Sequence, residues 1–451
     1  MQKSLLLRVL VIALLTLALW IPLALVQGVV SDRQHLQRQV EETIATTSTG
    51  PQRIAGPLLI VPYVISELVV TTGDKGREKT HWSNSDNHAV FLPEMLDYSG
   101  DVSIEEKYKG LYKSLLYQTK GIWKARFNVP VNLGTGIDAK HATKRLIPGR
   151  AYVAVGLSDV RGLRGTPQIT WDAAAIEVSN NANWPALGDG LNASIGALDV
   201  GEAHSHDLTM KLDLAGTSIL SIAPMGKTTT VQLRAAWPHP NFGGRFLPTS
   251  KQIDEKGFVA KWEVSQLSSK NAALVMQLGL ANERGNTQSS QLETFDVAFI
   301  EPVNIYLKAE RAVKYGILFV VLTFAAFFLL ETMKNLRIHP LQYGLVGLAL
   351  AIFFLLLVSL SEHIPFLLAY LSASVACISL IAYYLSHVLG GAKYGIAFGA
   401  SLTALYGVLY GLLLSEDNAL VLGSMLLFVV LAVVMLVTRK FDWFKLAACR
   451  T

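Results

Sequence analysis

The chain has 451 residues, of which 51% are hydrophobic and 16% charged, with a formal net charge of +5 and only two cysteines. That mixture excludes a disordered chain, which lacks apolar mass, and a small disulfide-stapled domain, which is dense in cysteine. The slight positive excess does not point to nucleic acid, because much of it sits in short connections between apolar runs.

Lys3 and Arg8 precede an apolar run over 9–26. Leu25, Val26, Gln27 and Gly28 offer no small-x-small cleavage pattern, so the run reads as a retained anchor rather than a signal peptide. Basic residues at its start orient the N-terminus toward the cytoplasm and place the chain beyond the run outside. Leu36, Val40 and Ile44 then recur every fourth residue, which predicts an amphipathic helical stalk over 31–50, stopped at Gly50-Pro51.

From Gly56 the pattern changes to short β-rich runs at 58–61, 68–72, 102–107, 122–129, 152–155, 208–214, 229–235 and 259–264. Several alternate, as in Thr209-Met210-Lys211-Leu212-Asp213-Leu214, so each buries one face. The region therefore reads as mainly antiparallel β. Phe91-Leu92-Pro93 with Ile104-Glu105-Glu106-Lys107 is echoed by Phe246-Leu247-Pro248 with Ile253-Asp254-Glu255-Lys256, which leaves open one β domain or two β-sandwich-like modules. Both cysteines, Cys377 and Cys449, lie outside this region, so it must stand on its core without disulfides.

Apolar runs at 312–330, 341–360, 364–385, 394–414 and 419–437 are each long enough to cross a bilayer, and their interiors carry no Asp, Glu, Lys or Arg. Lys334, Arg337, Lys393, Arg439, Lys440, Lys445 and Arg450 fall on alternate connections and the tail, which assigns those to the cytoplasm. Six transmembrane helices result, one N-terminal and five C-terminal, around a large periplasmic β region with both termini inside. The segments are 1–8 (cytoplasmic), 9–30 (anchor), 31–50 (stalk), 51–311 (periplasmic β region), 312–438 (five-helix bundle) and 439–451 (cytoplasmic tail).

No catalytic set, metal set or cofactor motif with reliable spacing emerges. Gly226-Lys227-Thr228 lacks the upstream glycine of a phosphate loop, Ser221 standing in its place, and Gly156-Leu157-Ser158-Asp159-Val160 lacks the closing glycine of a nucleophile elbow. His204-Ser205-His206 puts two imidazoles on one strand face without a third ligand, and reads as a polar strand start. The stretch 237–248 is the densest feature: its prolines and glycines predict a bent, strand-free loop, with Trp237, His239, Phe242 and Phe246 either capping the core or forming a binding surface. Gly395, Gly399, Thr403, Gly407 and Gly411 recur every fourth residue and predict close helix packing. Lys308, Arg311 and Lys314 at the mouth of the second span suit either interfacial anchoring or contact with anionic headgroups.

The strings Ser48-Thr49-Gly50-Pro51-Gln52, Gly156-Leu157-Ser158-Asp159-Val160-Arg161-Gly162, the 237–248 stretch, Glu310-Arg311-Ala312-Val313-Lys314-Tyr315-Gly316, His339-Pro340-Leu341-Gln342-Tyr343 and Ser359-Leu360-Ser361-Glu362-His363-Ile364 occur in one order across nearly the whole chain. Together they resemble the CreD family of inner-membrane proteins of Gram-negative bacteria. The resemblance implies a role in cell-envelope integrity, within a two-component regulon tied to envelope stress, β-lactam response and colicin tolerance, and implies no established reaction, ligand or catalytic residue. The expected protein is therefore a non-enzymatic membrane component acting through the bilayer and an envelope protein or lipid, with no cofactor and no nucleic acid. A lipid-handling or transport machine and an envelope-polymer hydrolase are the alternatives.

Overall fold

The computed structural model describes residues 2–72, 78–110, 112–137, 142–280, 292–299, 305–333, 338–389, 391–415 and 419–439. The charged connections 334–337 and 416–418, the tail from residue 440 with Cys449, and Glu301-Pro302 lie outside the described residues. Two compact units partition the chain: Gln39–Pro302, and Met1–Arg38 together with Val303–Thr451.

The first of these units carries two sheets. One runs β14(Pro240–Gly244), β17(Phe295–Phe299), β12(Ile219–Ala223), β1(Gln52–Thr72), β6(Arg150–Leu157), β10(Gly190–Ala197), β9(Val178–Asn180), with β2(Glu78–Phe91) and β5(Lys144–Pro148) also on β1. The other runs β15(Ser250–Asp254), β16(Gly257–Ser265), β13(Thr228–Ala235), β3(Met95–Lys109), β4(Tyr112–Val129), β11(His204–Thr217), β7(Gln168–Trp171), β8(Ala174–Ile176). Pairing is antiparallel except for β1 with β12 and β3 with β13. Each predicted strand run falls inside one of these strands.

Both sheets feed one hydrophobic cluster, in which Leu58 and Val153 of the first meet Trp123, Phe127 and Trp262 of the second. Residues 54–61 are all buried, which explains why this stretch is continuously apolar instead of alternating: both of its faces are covered. The helix α3(Asn271–Leu280), in a region read from sequence as β, adds Val275 to the same cluster. Its run Ala272-Ala273-Leu274 favours a helix, and Asn271 bonds the Glu293 and Pro224 carbonyls. The echoed strings occupy unlike places: Phe91 ends β2 while Phe246 follows β14, and Ile104 and Ile253 lie on separate strands of one sheet.

One local expectation is corrected. The stretch 237–248 is not strand-free, because 240–244 form the edge strand β14 on β17. Pro240 is accommodated there as the first residue of an edge strand, where its missing N–H removes no interior ladder bond.

The other unit is helical. α1(Gln2–Ala18) and the start of α2(Trp20–Thr47) join α4(Ile305–Met333), α5(Pro340–Ser361), α6(Phe366–Val388), α7(Ala392–Leu414) and α8(Ala419–Thr438). The interruption at Leu19 lies just before Pro22, which has no N–H for the Ala18 carbonyl. Bonds from Leu19 N to Leu15 O and from Leu23 N to Leu19 O nevertheless carry the run on.

Among the described residues five helices are long and apolar enough to cross a membrane, Val9–Thr47, Ile305–Thr332, Pro340–Ser361, Phe366–Val388 and Ala392–Leu414, with Val421–Leu436 a shorter apolar helix. Helix α4 begins at Ile305, so Lys308, Arg311 and Lys314 are its first turns rather than a loop before it. The bundle core is aromatic: Phe319, Phe324, Phe327, Phe353, Phe354 and Phe398 are fully buried, and Phe353 meets Tyr406 edge-on at 4.6 Å. Leu367, Leu371, Val375 and Leu380 face outward and exposed, as a lipid-facing surface requires.

Candidate functional site

The family strings at 48–52 and 156–162 come together where α2 gives way to the β body. Asp159 accepts from the Gly50 amide at 3.2 Å and from the Arg161 amide at 3.0 Å, and pairs with the Arg161 guanidinium at 2.7 Å. Arg161 also donates to the Thr46 carbonyl at 2.6 Å, satisfying one of the acceptors left open at a helix C-terminus. The Gln52 side chain donates to the carbonyls of Asp159 (2.8 Å) and Ala215 (3.1 Å). A Cβ on Gly162 would lie 2.3 Å from the Gln52 amide nitrogen and 2.4 Å from the Ala215 carbonyl, so only glycine fits.

Ser158, the elbow-like serine, donates to the Pro51 carbonyl at 2.8 Å and accepts from the Arg53 amide at 2.9 Å. Its hydroxyl is thus a structural joint. The same partners hold Asp159 below the ordinary carboxylate range, the Arg161 guanidinium most of all, then the amides of Gly50 and Arg161.

The aromatic stretch is mostly committed to the core. Phe242 meets Phe258 and Trp262 edge-on at 5.5 and 5.6 Å, Trp237 and Phe246 pack half-buried against the same cluster, and the Trp237 indole donates to the His239 carbonyl at 3.1 Å. His239 and Leu247 are exposed, the latter by 68%.

Beside it, on the outer face of the eight-stranded sheet, register places Val259, Arg234, Asp101, Lys120 and Asp213 in one row across five strands. The signs of the last four alternate. Asp101 and Arg234 line a shallow cleft of about 460 Å3 with Gln252, Asp254 and Lys256. Sequence reading missed this row; its signal was one charged residue at an outward position on each of β13, β3, β4 and β11.

His204 and His206 do share a face, with ring centroids 6.1 Å apart. His206 is built in: its Nδ1 contacts Asp172 at 2.6 Å and its ring stacks on Trp171 at 4.9 Å, while Asp172 also accepts from the Asp207 amide. Asp172 sits at φ +46° in the tight turn between β7 and β8, a conformation that Asp tolerates. Ser205 points away to Asn128. Among the described residues no three His, Cys, Asp or Glu converge as metal ligands.

In the helical unit, Glu362 is braced by Arg33 at 3.3 Å and the Tyr306 hydroxyl at 3.2 Å. Glu310 pairs with Lys314 at 2.7 Å and accepts from Gln34 at 3.0 Å. Lys308 lies over the Phe366 ring at 5.6 Å. Two of the three cations suggested for headgroups thus have protein partners, and Arg311 is also engaged.

The glycine stripe divides. A Cβ on Gly395 would meet the Ala382 carbonyl at 2.5 Å, and one on Gly399 the Ala382 methyl at 3.1 Å, so α7 packs closely on α6 there. Thr403 bonds back to the Gly399 carbonyl, and a Cβ added to Gly407 or Gly411 would meet nothing within 4 Å beyond its own helix backbone.

A set of apolar spanning helices carrying a large two-sheet body defines a multi-pass membrane protein with an extramembrane β domain. The family model described as "Inner membrane protein CreD" matches residues 4–444. The chain is 35% identical over 430 residues to the inner membrane protein CreD of Escherichia coli (strain K12), covering 95% of this chain and 91% of that protein. It belongs to the CreD family and is an inner membrane protein with several membrane-spanning helices. Among solved structures it is similar to an M1 zinc metallopeptidase from Deinococcus radiodurans, at 10% identity and a TM-score of 0.24 over 46% of this chain and 42% of that one, and to a second form of it at 8% and 0.21 over the same shares. A likeness that weak carries nothing about activity.

Proposed function

We propose that the protein is a non-catalytic component of the cell envelope whose β body faces the periplasm and supports envelope integrity under stress by binding an envelope protein or lipid. The observation that carries this reading is the outer face of the eight-stranded sheet. There, charges of alternating sign stand in register, two of them, Asp101 and Arg234, lining a shallow cleft, with His239 and Leu247 exposed on the neighbouring stretch. Such a face suits recognition by a flat, charge-patterned partner, not chemistry on a small substrate. The use of Ser158 as a joint supports the same reading over a hydrolase, and the aromatic core of the bundle supports it over a conduit.

The test is complementation of a deletion strain challenged with a β-lactam or a colicin. Charge reversal at Arg234 and Lys256 is expected to abolish rescue at unchanged protein level, whereas Ser158→Ala keeps it. Loss of rescue by Ser158→Ala at full abundance, with the reversals silent, would transfer the function to a hydrolytic site.

A further inference from the structure

The eight-stranded sheet sends a two-stranded ribbon past its own end. β3 alternates exposed and buried residues from Met95 to Val102, and the alternation then stops, residues 105–110 all being exposed. Register gives the reason. β13 leaves β3 at Ala235↔Val102 and β11 leaves β4 at Thr217↔Leu116, so among the described residues the β3–β4 pair continues alone to Lys109↔Tyr112. Ser103 to Lys109 reach about 20 Å at the rise of a strand. The ribbon departs from the corner where the β body is joined to its spanning helices. There the Thr217 amide donates to the Gly50 carbonyl at 3.2 Å and the Phe299 amide to the Ser218 carbonyl at 2.8 Å, Gly50 following α2 and Phe299 preceding α4.

We propose that the tip of this ribbon docks on anionic lipid headgroups of the membrane that the chain spans. Register sets Tyr108 opposite Lys113 on one face of the tip and Lys109 opposite Tyr112 on the other. A hairpin that packs on a protein body keeps one face apolar, whereas this one carries a tyrosine and a lysine on each. Tyrosine favours the headgroup level, with its ring toward hydrocarbon and its hydroxyl in water, and lysine lays its stem along apolar surface while its ammonium reaches phosphate. Tyr108 is 64% exposed, and Lys107 and Lys109 on either side of it are exposed too. The two acids of the tip are offset within the ribbon, Glu105 by Lys107 at 3.7 Å and Glu106 by Lys113 at 2.6 Å. A protein partner fits less well, because lysine is depleted at protein interfaces and drawn to an anionic bilayer surface. The docking needs no envelope partner and stands apart from the sheet face proposed above.

The experiment uses the full chain with Cys449→Ser, Cys377 being buried, in nanodiscs of mixed phosphatidylcholine and phosphatidylglycerol that contain a lipid with a nitroxide on its headgroup. A fluorophore is attached either at Tyr108→Cys or at Glu202→Cys, the latter just before β11 and so at the opposite end of the same sheet. Quenching by the nitroxide is expected to be several-fold stronger at 108 than at 202, and to weaken in discs without phosphatidylglycerol. Lys107→Glu with Lys109→Glu should lower the quenching at 108 by at least about fivefold, the factor carried by one lysine near an anionic surface. Should that variant fail to fold, salt near 1 M, where the screening length is about 3 Å, should weaken the quenching of the unreversed chain in its place. Equal quenching at the two labels overturns the proposal, as does quenching at 108 that persists through the charge reversal or through high salt.

Discussion

Asp159 shows how a family string that looks like a site can be a joint. Its side chain is 14% exposed and its partners are the guanidinium of Arg161 and two amides, so replacing it by Ala strands donors in a crowded place. Losing hydrogen bonds to a charged group of this kind costs about 2 kcal/mol. Chemical denaturation of the full chain in detergent should show that loss, with Ser158→Ala costing about 1 kcal/mol. The pH dependence is set by the direction of the shift. Asp159 is held below its ordinary value, chiefly by Arg161, so its contribution is complete above the normal carboxylate range and fades as pH falls through the lowered value. The stability gap between the native chain and Asp159→Asn should be constant near neutrality and close below about pH 4. A gap unchanged down to pH 2 would mean the carboxylate charge does not hold the joint.

At the level of elements, strands such as β11 and β13 were legible because one face is dry and the other wet. The mostly exposed strand β2 carries no such contrast and was not legible. β2 is rich in Ser, Asn, Asp and His and is exposed along most of its length; its extended form comes from register with β1 from Leu59↔Phe91 to Thr72↔Glu78, a tertiary cause. The joint was equally hidden, since Gly50 and Asp159 meet across 109 residues. The glycine period was legible, but which half of it packs depends on where α6 lies. Gly399→Leu forces a side chain into Ala382 and should cost about 1–3 kcal/mol as overpacking, whereas Gly407→Leu adds a side chain in open space and should leave the melting temperature of the detergent-solubilised protein unchanged. Equal tolerance of both changes would remove the α6–α7 contact as the reason for the period.

For the molecule as a whole, the apolar helices establish that it crosses a membrane, and the proposed role depends on which side the β body occupies. The cysteine pattern makes this measurable, because the sequence between residues 39 and 302 has no thiol, Cys377 is buried in α6, and Cys449 lies in the tail. Glu202 is exposed in the connection before β11, so Glu202→Cys adds one accessible thiol to an otherwise silent body. An outer-membrane-permeant maleimide too polar to cross the inner membrane should label that variant in intact cells, and label Cys449 only after the inner membrane is opened. This expectation rests on the proposed orientation, in which the basic connections holding Lys334, Arg337 and Lys393 would be retained on the cytoplasmic side. The reverse order of labelling would put the charged sheet face in the cytoplasm, where no periplasmic partner could reach Arg234 or Asp101, and the envelope-contact reading would have to be given up.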